Sequence, residues 1–369
     1  MLASLKLRLE QHQQQGLSRQ RKVRNVANTV LRNNNCVAFN SNDYLGLATH
    51  PEMITAATAA CAKYGVGNGS AQLVDGYTEL QQELEQTIAK ITGYERALVF
   101  STGHMLNLGI LSALAEAGDI ILQDKQNHAS LLDGGKLATA RSYRYKHCNL
   151  QDLSNKLQQF TSENKFIVSE SVFSMTGEIA PIDKLAKIAQ ENAAILIIDD
   201  AHGFGVLGAN GFGAKQHFAL STQQLPILTA TFGKALGSFG AFIAGDATAI
   251  DACMQFARSF IFTTALPPAV IAANLQALKL LEQESWRVTK LRENINLFRK
   301  LRGQALDKTS GAIQAITIAD NKATMLAATQ LQAKGFLVAA IRYPTVAKDA
   351  ACIRITLSAE HTSQNIADL

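Results

Sequence analysis

Ala193-Ala-Ile-Leu-Ile-Ile-Asp-Asp-Ala-His-Gly203 is the stretch that decides how this chain folds. An apolar run this short, bounded by polar residues, reads as a strand buried on both faces, the kind that parallel sheets use. Asp199, Asp200 and His202 then fall at the carboxyl end of that strand, where open α/β sheets gather their functional groups. Two adjacent carboxylates and a histidine at such a place suit a metal site, a helix cap or a cofactor clamp. The segment by itself does not choose among them.

The next stretch outward is Pro226-Ile-Leu-Thr-Ala-Thr-Phe-Gly-Lys-Ala-Leu-Gly237, in which an apolar run ends at Thr231 and Gly233, just before Lys234. A lysine on a tight loop at a buried strand end is a candidate nucleophilic amine. Read alone, it is equally well a loop lysine beside glycines that turn the chain. A carboxylate, a histidine and, about one βα unit later, a loop lysine together suggest pyridoxal phosphate chemistry. The lysine amine would bond the cofactor, and the carboxylate would pair with the pyridinium nitrogen and keep it protonated, so that the ring acts as an electron sink.

From Arg96 onward, short apolar runs alternate with helical patterns: Ala97-Leu-Val-Phe100, Asp119-Ile-Ile-Leu122, Phe166-Ile-Val168, Ile195-Leu-Ile-Ile198, Ile227-Leu-Thr229 and Ala241-Phe-Ile-Ala244. That alternation argues for an α/β fold with a mainly parallel sheet covered by helices. A long helical tract follows Pro267-Pro268 to about Arg302. Then come Ile313-Gln-Ala-Ile-Thr-Ile318, Phe336-Leu-Val-Ala-Ala-Ile341 and Cys352-Ile-Arg-Ile-Thr-Leu357, three strand candidates of a second, smaller α/β unit. Residues 1 to about 25 read as a polar amphipathic helix with Leu2, Leu5, Leu7 and Leu9 as a partial apolar face. The expected organisation is an N-terminal helical arm over residues 1–45, a large domain over 46–255 and a small C-terminal domain over 256–369.

Other strand ends carry further candidates. The turn Ser101-Thr-Gly-His104 opens a helical pattern, and free N–H groups at such a start favour a phosphate, although a plain strand-to-helix turn reads the same. Asp124-Lys-Gln-Asn-His-Ala-Ser130 offers His128, a flat ring able to lie on a heteroaromatic cofactor, and Glu170-Ser-Val-Phe-Ser-Met-Thr-Gly177 offers the Ser174 hydroxyl. Each is unremarked alone; together they would crowd one sheet edge. Gly203-Phe-Gly-Val-Leu-Gly208 satisfies the dinucleotide glycine pattern, but no amphipathic helix follows it, so a nicotinamide site is not expected. Gly65-Val-Gly-Asn-Gly-Ser70 lacks the ending of a P-loop, and its glycines suit a close backbone approach or a flexible loop.

Composition bounds the rest. The 369 residues are 47% hydrophobic and 18% charged, with a net charge of +5, as expected of an ordinary globular protein with a large core. Basic residues gather only from Arg19 to Arg24, which suits an anionic substrate and is too weak for nucleic acid. The five cysteines show no paired spacing, so neither a zinc motif nor a disulfide framework is expected. No stretch approaches the roughly 18 apolar residues that span a membrane, and no secretory leader is evident, so a cytoplasmic protein is expected.

With these residues in view, the chain resembles the α-oxoamine synthases over about Ser41 to His361. The markers are Ser41-Asn-Asp-Tyr-Leu-Gly-Leu47, Asn127-His-Ala-Ser130, Phe173-Ser-Met-Thr-Gly177, Asp199-Asp-Ala-His-Gly203, Thr231-Phe-Gly-Lys234 and Ile353-Arg-Ile-Thr356. The resemblance implies pyridoxal-phosphate transferase fold type I, aspartate aminotransferase-like, and an acyltransferase that condenses an amino acid with an acyl thioester and releases carbon dioxide. Gly233-Lys-Ala-Leu-Gly-Ser-Phe-Gly-Ala241, Phe260-Ile-Phe-Thr-Thr-Ala-Leu-Pro-Pro268 and Ala340-Ile-Arg-Tyr-Pro-Thr-Val346 bring it nearest the member that joins L-alanine to a pimeloyl thioester of coenzyme A or acyl carrier protein, on the way to biotin. The alternatives are a sibling that condenses glycine with a short acyl-CoA and an inert paralogue that only binds the cofactor.

The resemblance also implies roles. Lys234 would hold pyridoxal phosphate and later act as the base, Asp199 would pair with the ring nitrogen, His202 would bond the ring hydroxyl and His128 would stack on the ring. Gly103, His104, Ser174 and Thr231 would complete the cradle, with Thr263 or Thr264 reaching the phosphate from the neighbouring subunit of a homodimer. Asn42 and Arg354 would hold the amino-acid carboxylate, and Thr345 and Arg19 would lie by the thioester. The chain departs from the family's pattern at Gly67-Asn-Gly-Ser-Ala-Gln-Leu-Val-Asp-Gly76, His104, Thr176 and Tyr343, and ends at Leu369 where relatives continue a last helix. These departures bear on acyl-chain preference more than on the cofactor.

Overall fold

The computed structural model describes residues 2–14, 17–19, 21, 23, 30, 36–303 and 311–369. Twelve strands occur among them, in chain order β1 (Val37–Ala38), β2 (Arg96–Phe100), β3 (Ile120–Asp124), β4 (Arg141–Tyr145), β5 (Lys165–Glu170), β6 (Ile195–Asp199), β7 (Ile227–Thr231), β8 (Ala241–Gly245), β9 (Ile313–Thr317), β10 (Phe336–Leu337), β11 (Ala339–Ile341) and β12 (Cys352–Thr356). Seven of them form one sheet in the order β2-β8-β7-β6-β5-β3-β4. Strand β8 pairs antiparallel with both its neighbours, and every other pairing in this sheet is parallel. The reversal of β8 follows from its connection. Parallel crossovers need a dozen or more residues, and only Phe232–Gly240 separate Thr231 from Ala241.

Helices Gly103–Leu114, Ala129–Leu137, Leu150–Gln159 and Ile182–Glu191 alternate with β2 to β6. Side-chain oxygens of Thr102 and Asn149 cap the first and third of these by accepting the N–H of Met105 and Asp152. Apart from the edge strand β4, the strands of this sheet are buried on both faces, which is why they read as continuous apolar runs. Leu196, Ile198, Leu228 and Phe242 enter one core cluster, whereas the alternating Ile197, Ile227, Ala241 and Ile243 enter the other.

The second sheet has the order β11-β12-β9, all antiparallel, and β1 pairs with β10 in a separate two-stranded ribbon. The run Phe336–Ile341 is therefore two strands and not one, because its first half pairs with β1 and its second with β12. The long tract after Pro267 is likewise two helices, Pro268–Gln283 and Trp286–Arg302, parted at Glu284 and Ser285. The N-terminal helix runs only over Leu2–Gln14 with none of its residues buried, and residues 17–19 are not helical. The expected helix to about residue 25 is thus too long, and 24–29 lie outside the described residues. Among the described residues no helix is long and apolar enough to cross a membrane.

Glu85, on helix Glu79–Thr92, ties that helix to the sheet by accepting the N–H of Val99 at 3.0 Å and the hydroxyl of Tyr77 at 2.9 Å. Burial pushes its carboxyl up to about 7 from an ordinary value of 4.5. The folded chain therefore keeps a proton that the unfolded chain gives up above pH 4.5. The resulting stabilisation is complete below that value and is lost as pH rises through about 7, a change on the order of 3 kcal/mol. Glu85→Gln is expected to gain stability over the parent at about pH 8 compared with about pH 5. Urea midpoints of both proteins at both pH values measure this, and an equal difference at the two would assign the titration elsewhere.

Candidate active site

The carboxyl edge of the large sheet opens into a cavity of about 210 Å³ lined by Gly103, His104, Asn107, His128, Asp199, His202, Thr231 and Lys234, among others. Its floor is one row across three strands, Glu170 of β5, Asp199 of β6 and Thr229 of β7, which are in register. Residues paired across parallel strands face the same side, so the three side chains enter the cavity together. The two carboxylates of Asp199-Asp200 part company. Asp199 Oδ2 accepts from Asn107 Nδ2 at 2.7 Å and Oδ1 from the N–H of Ala201 at 3.0 Å, at the cavity. Asp200 points away, accepts the N–H of Ala214 at 2.8 Å at the start of helix Gly213–His217, and is pushed up to about 7 by burial.

Lys234 lies on the loop between β7 and β8, held by Phe232 N–H to Gly240 O at 3.0 Å and by Thr231 Oγ1 to Gly240 O at 2.8 Å. Thr231 therefore lines the cavity but has already committed its hydroxyl proton to the loop. Burial lowers the pKa of the Lys234 amine, with Asp199 and Glu170 opposing and Arg354 adding to the fall. Burial also raises the pKa of the Glu170 carboxyl, and the charge of Asp199 adds to that rise. Both shifts favour neutral groups.

His202 is buried, and burial followed by the charge of Lys234 keeps its pKa well below the usual range. Its Nδ1 lies 2.5 Å from the hydroxyl of Tyr44, whose pKa burial raises to about 12. The Tyr44 hydroxyl also reaches Asn42 Oδ1 at 3.4 Å, so its one proton serves either Asn42 or the imidazole, and the tautomer of His202 decides which. His128 caps helix Ala129–Leu137, with Nδ1 2.7 Å from Ser130 Oγ, and burial lowers its pKa too.

Behind Tyr44 lies a second cluster. Arg354 of β12 is 6% exposed and donates to Asn42 Oδ1 at 3.2 Å, to Thr356 Oγ1 at 3.0 Å and to the carbonyl of Ser174 at 2.8 Å. The expected Asn42 and Arg354 pair is thus assembled from residues 312 positions apart. Ser174 is not among the lining residues; it joins Arg354 to Glu170 Oε2, which accepts its N–H at 3.3 Å. Thr263 and Thr264 are also outside the cavity of their own chain, and Thr264 bridges to Ala71. Arg19 and Thr345 are exposed and off the cavity, though Arg342 donates to Ser18 O at 2.9 Å and so draws their two segments together. The glycine pattern at Gly203–Gly208 forms turns with no helix directly after it, as expected.

The cavity has the polarity of a site for a polar, anionic group. Asn107 Oδ1, Glu170 Oε1 and Thr229 Oγ1 are buried in its wall without a hydrogen-bond partner, a condition that proteins tolerate where a ligand supplies the partner. Gly103 and His104 open helix Gly103–Leu114 at the same cavity, so backbone N–H groups and the helix dipole face it. Glu170, Asn107 and Tyr44 are site residues to which the sequence reading assigned no role. Glu170 carries a usable signal, since it ends an apolar strand just as Asp199 does; Asn107 is a lone amide in an apolar helix.

A lysine amine, a carboxylate and a neutral histidine around a cavity at the carboxyl edge of a mainly parallel sheet define a pyridoxal-phosphate-dependent enzyme of the aminotransferase fold. The profile of the aminotransferase class I and II family matches residues 34–369. The 8-amino-7-oxononanoate synthase of Cellvibrio japonicus is 45% identical over 337 residues, spanning 90% of this chain and 84% of that protein. The crystal structure of 8-amino-7-oxononanoate synthase from Francisella tularensis superposes with a TM-score of 0.78 at 36% identity, covering 90% of this chain and 94% of that one. A serine palmitoyltransferase from S. paucimobilis, solved with a bound pyridoxal-phosphate adduct, superposes with a TM-score of 0.90 at 27% identity over 98% and 94% of the chains. The chain belongs to the aminotransferase class I and II family and, within it, to the 8-amino-7-oxononanoate synthases, pyridoxal-phosphate-dependent acyltransferases.

Proposed function

We propose that the protein condenses L-alanine with a pimeloyl thioester, of coenzyme A or acyl carrier protein, to give 8-amino-7-oxononanoate, carbon dioxide and the free thiol carrier in biotin biosynthesis, in the cytoplasm. The observation that carries the reading is the joining of two devices through Tyr44 and His202: a cavity with a lysine amine and a carboxylate, and a buried arginine paired with an amide. The first suits the cofactor, and the second suits the carboxylate of an amino acid.

Pyridoxal phosphate, when bound, supplies an electron sink for the carbanion that forms as the Cα proton leaves. Lys234 would hold it and Asp199 would pair with its ring nitrogen. His202 would bond the ring hydroxyl, and His128 would cover the ring. Gly103, His104, Ser174 and Thr231 would border it. The chain's own work is then acid–base chemistry and positioning. Lys234 Nζ, whose pKa burial lowers, takes the Cα proton. Arg354 and Asn42 fix the alanine carboxylate and so orient the bond that breaks. Arg19 and Thr345 would meet the thioester on the open side.

The active unit in this reading is a homodimer. Val66, Val74 and Phe262 are 82%, 80% and 70% exposed, and the segments that carry them are joined by the Ala71 to Thr264 bridge and by Asn68 Nδ2 donating to Leu266 O at 2.5 Å. A second copy covering this apolar surface would bring Thr263 or Thr264 to the neighbouring cavity. The large and small domains would meet near residue 256.

The visible absorbance of the purified protein tests the proposal, followed on adding L-alanine, glycine or L-serine. The expected result is a lysine-bound cofactor band perturbed by L-alanine at a concentration at least about tenfold lower than by the others, followed by thiol release with a pimeloyl thioester. A glycine preference would instead make the protein the glycine-using sibling. A protein that stays colourless with added pyridoxal phosphate would remove the cofactor assignment.

A further inference from the structure

The loop after β4 and the turn after β5 bring a second set of reactive side chains together, apart from the cavity. His147 sits between two carboxylates, with Nδ1 2.8 Å from Asp124 Oδ1 and Nε2 3.3 Å from Glu178 Oε2. The Cys148 sulfur lies 3.9 Å from the same Nε2. Ligand atoms of Asp124, His147 and Cys148 all fall within 4.8 Å of one another, and His147 and Glu178 keep side-chain exposures of 18% and 24%. Solvent therefore reaches the cluster.

We propose that His147, Cys148 and Glu178 form a binding site for a thiophilic divalent cation of the zinc class, with Asp124 as the group that orients it. Zinc bonds of about 2.0–2.3 Å at tetrahedral angles place neighbouring donor atoms about 3.3–3.6 Å apart. For the two pairs that share His147 Nε2, the separations of 3.3 Å to Glu178 Oε2 and 3.9 Å to Cys148 Sγ lie within a few tenths of an ångström of that range, and rotation of the partly exposed Glu178 side chain would bring its carboxylate toward the sulfur. Thiolate, imidazole and carboxylate together select zinc-like ions over magnesium or calcium. Three protein donors leave the fourth position to water.

The surroundings are those of a prepared ligand set. Asp124 Oδ1 accepts from His147 Nδ1 and so aims Nε2 outward, an arrangement that raises the basicity of a metal-binding histidine. Asp124 Oδ2 accepts the N–H of Cys148 at 2.8 Å and fixes the backbone that carries the thiol. The Phe173 ring stands edge-on to His147 with centroids 4.4 Å apart and walls one side. On binding, the cation replaces the protons of Nε2 and the thiol, which pass to solvent. It would link the loop after β4 to the turn that carries Ser174, whose carbonyl holds Arg354.

Equilibrium dialysis of the pyridoxal-phosphate-loaded protein against zinc tests this. Cys148→Ser and Glu178→Gln are each expected to weaken the binding of one zinc per chain by about tenfold or more, while Cys61→Ser, at a cysteine elsewhere on the surface, leaves it unchanged. Equal zinc uptake by the parent and Cys148→Ser would overturn the proposal. A second readout does not depend on a variant: zinc should slow alkylation of Cys148 by iodoacetamide, mapped by mass spectrometry. Alkylation at the same rate with and without zinc would also overturn it.

Discussion

Lys234→Ala is expected to lower turnover of L-alanine and a pimeloyl thioester by at least about 10⁴-fold, because one side chain would serve both as the covalent anchor of the cofactor and as the base. The fold should survive the change. The loop is held by main-chain bonds, Phe232 N–H to Gly240 O at 3.0 Å, Ser238 N–H to Phe232 O at 2.8 Å and Gly237 N–H to Lys234 O at 2.9 Å, none of which uses the lysine side chain. Among the described residues no hydrogen bond or ion pair is made by Lys234 Nζ. Burial lowers the amine's pKa, so truncation removes a group that is costly to keep charged. Steady-state thiol release gives the rate, and thermal unfolding checks the fold. Borohydride reduction supplies an independent readout: the parent should retain the cofactor covalently and the variant should not. A rate within tenfold of the parent, with the melting temperature unchanged, would mean that another group takes the proton.

The lysine could be found from sequence because its environment is local: a strand end, two glycines and a tight turn, all within Thr229–Gly237. The same holds for Asp199, His202 and His128, each of which follows a strand that burial on both faces makes continuously apolar. What was not legible depends on long-range partners. Tyr44 meets His202 across 158 positions and Arg354 meets Asn42 across 312, and no local pattern marks such a meeting; these came from the family resemblance or not at all. Strand β4, Arg141–Tyr145, was missed because it lies at the sheet edge with only Tyr145 buried, so Arg-Ser-Tyr-Arg-Tyr carries no apolar run. Strand β1 was missed because two residues, Val37 and Ala38, are too short to show a period. In the cavity, Glu170 was passed over although it stands beside Asp199 in register, since an acid that closes a strand reads as a solvent-facing end until the neighbouring strand is placed.

That row of two carboxyls gives the second large expectation its content. Asp199→Asn keeps the shape of the site, since the amide oxygen can still accept from Asn107 Nδ2, which now lies 2.7 Å from Asp199 Oδ2, or from the N–H of Ala201. What it removes is the charge. Burial, the largest cause of the raised Glu170 pKa, still favours its protonated form in the variant, although the Asp199 charge that adds to that rise is gone. The variant is therefore expected to bind pyridoxal phosphate about 10- to 100-fold more weakly and, when saturated with it, to exchange the Cα proton of L-alanine about 10³-fold more slowly, in line with the loss of one preorganised electrostatic partner. Proton NMR of L-alanine in deuterated buffer follows the exchange without the thioester, so the acyl transfer step does not enter. Asp199→Glu, which restores the charge at a displaced position, should recover part of the cofactor affinity and less of the exchange rate. Exchange at the parental rate in Asp199→Asn would remove the carboxylate from the proton-transfer step and turn attention to Glu170, whose buried and unpartnered Oε1 faces the same cavity.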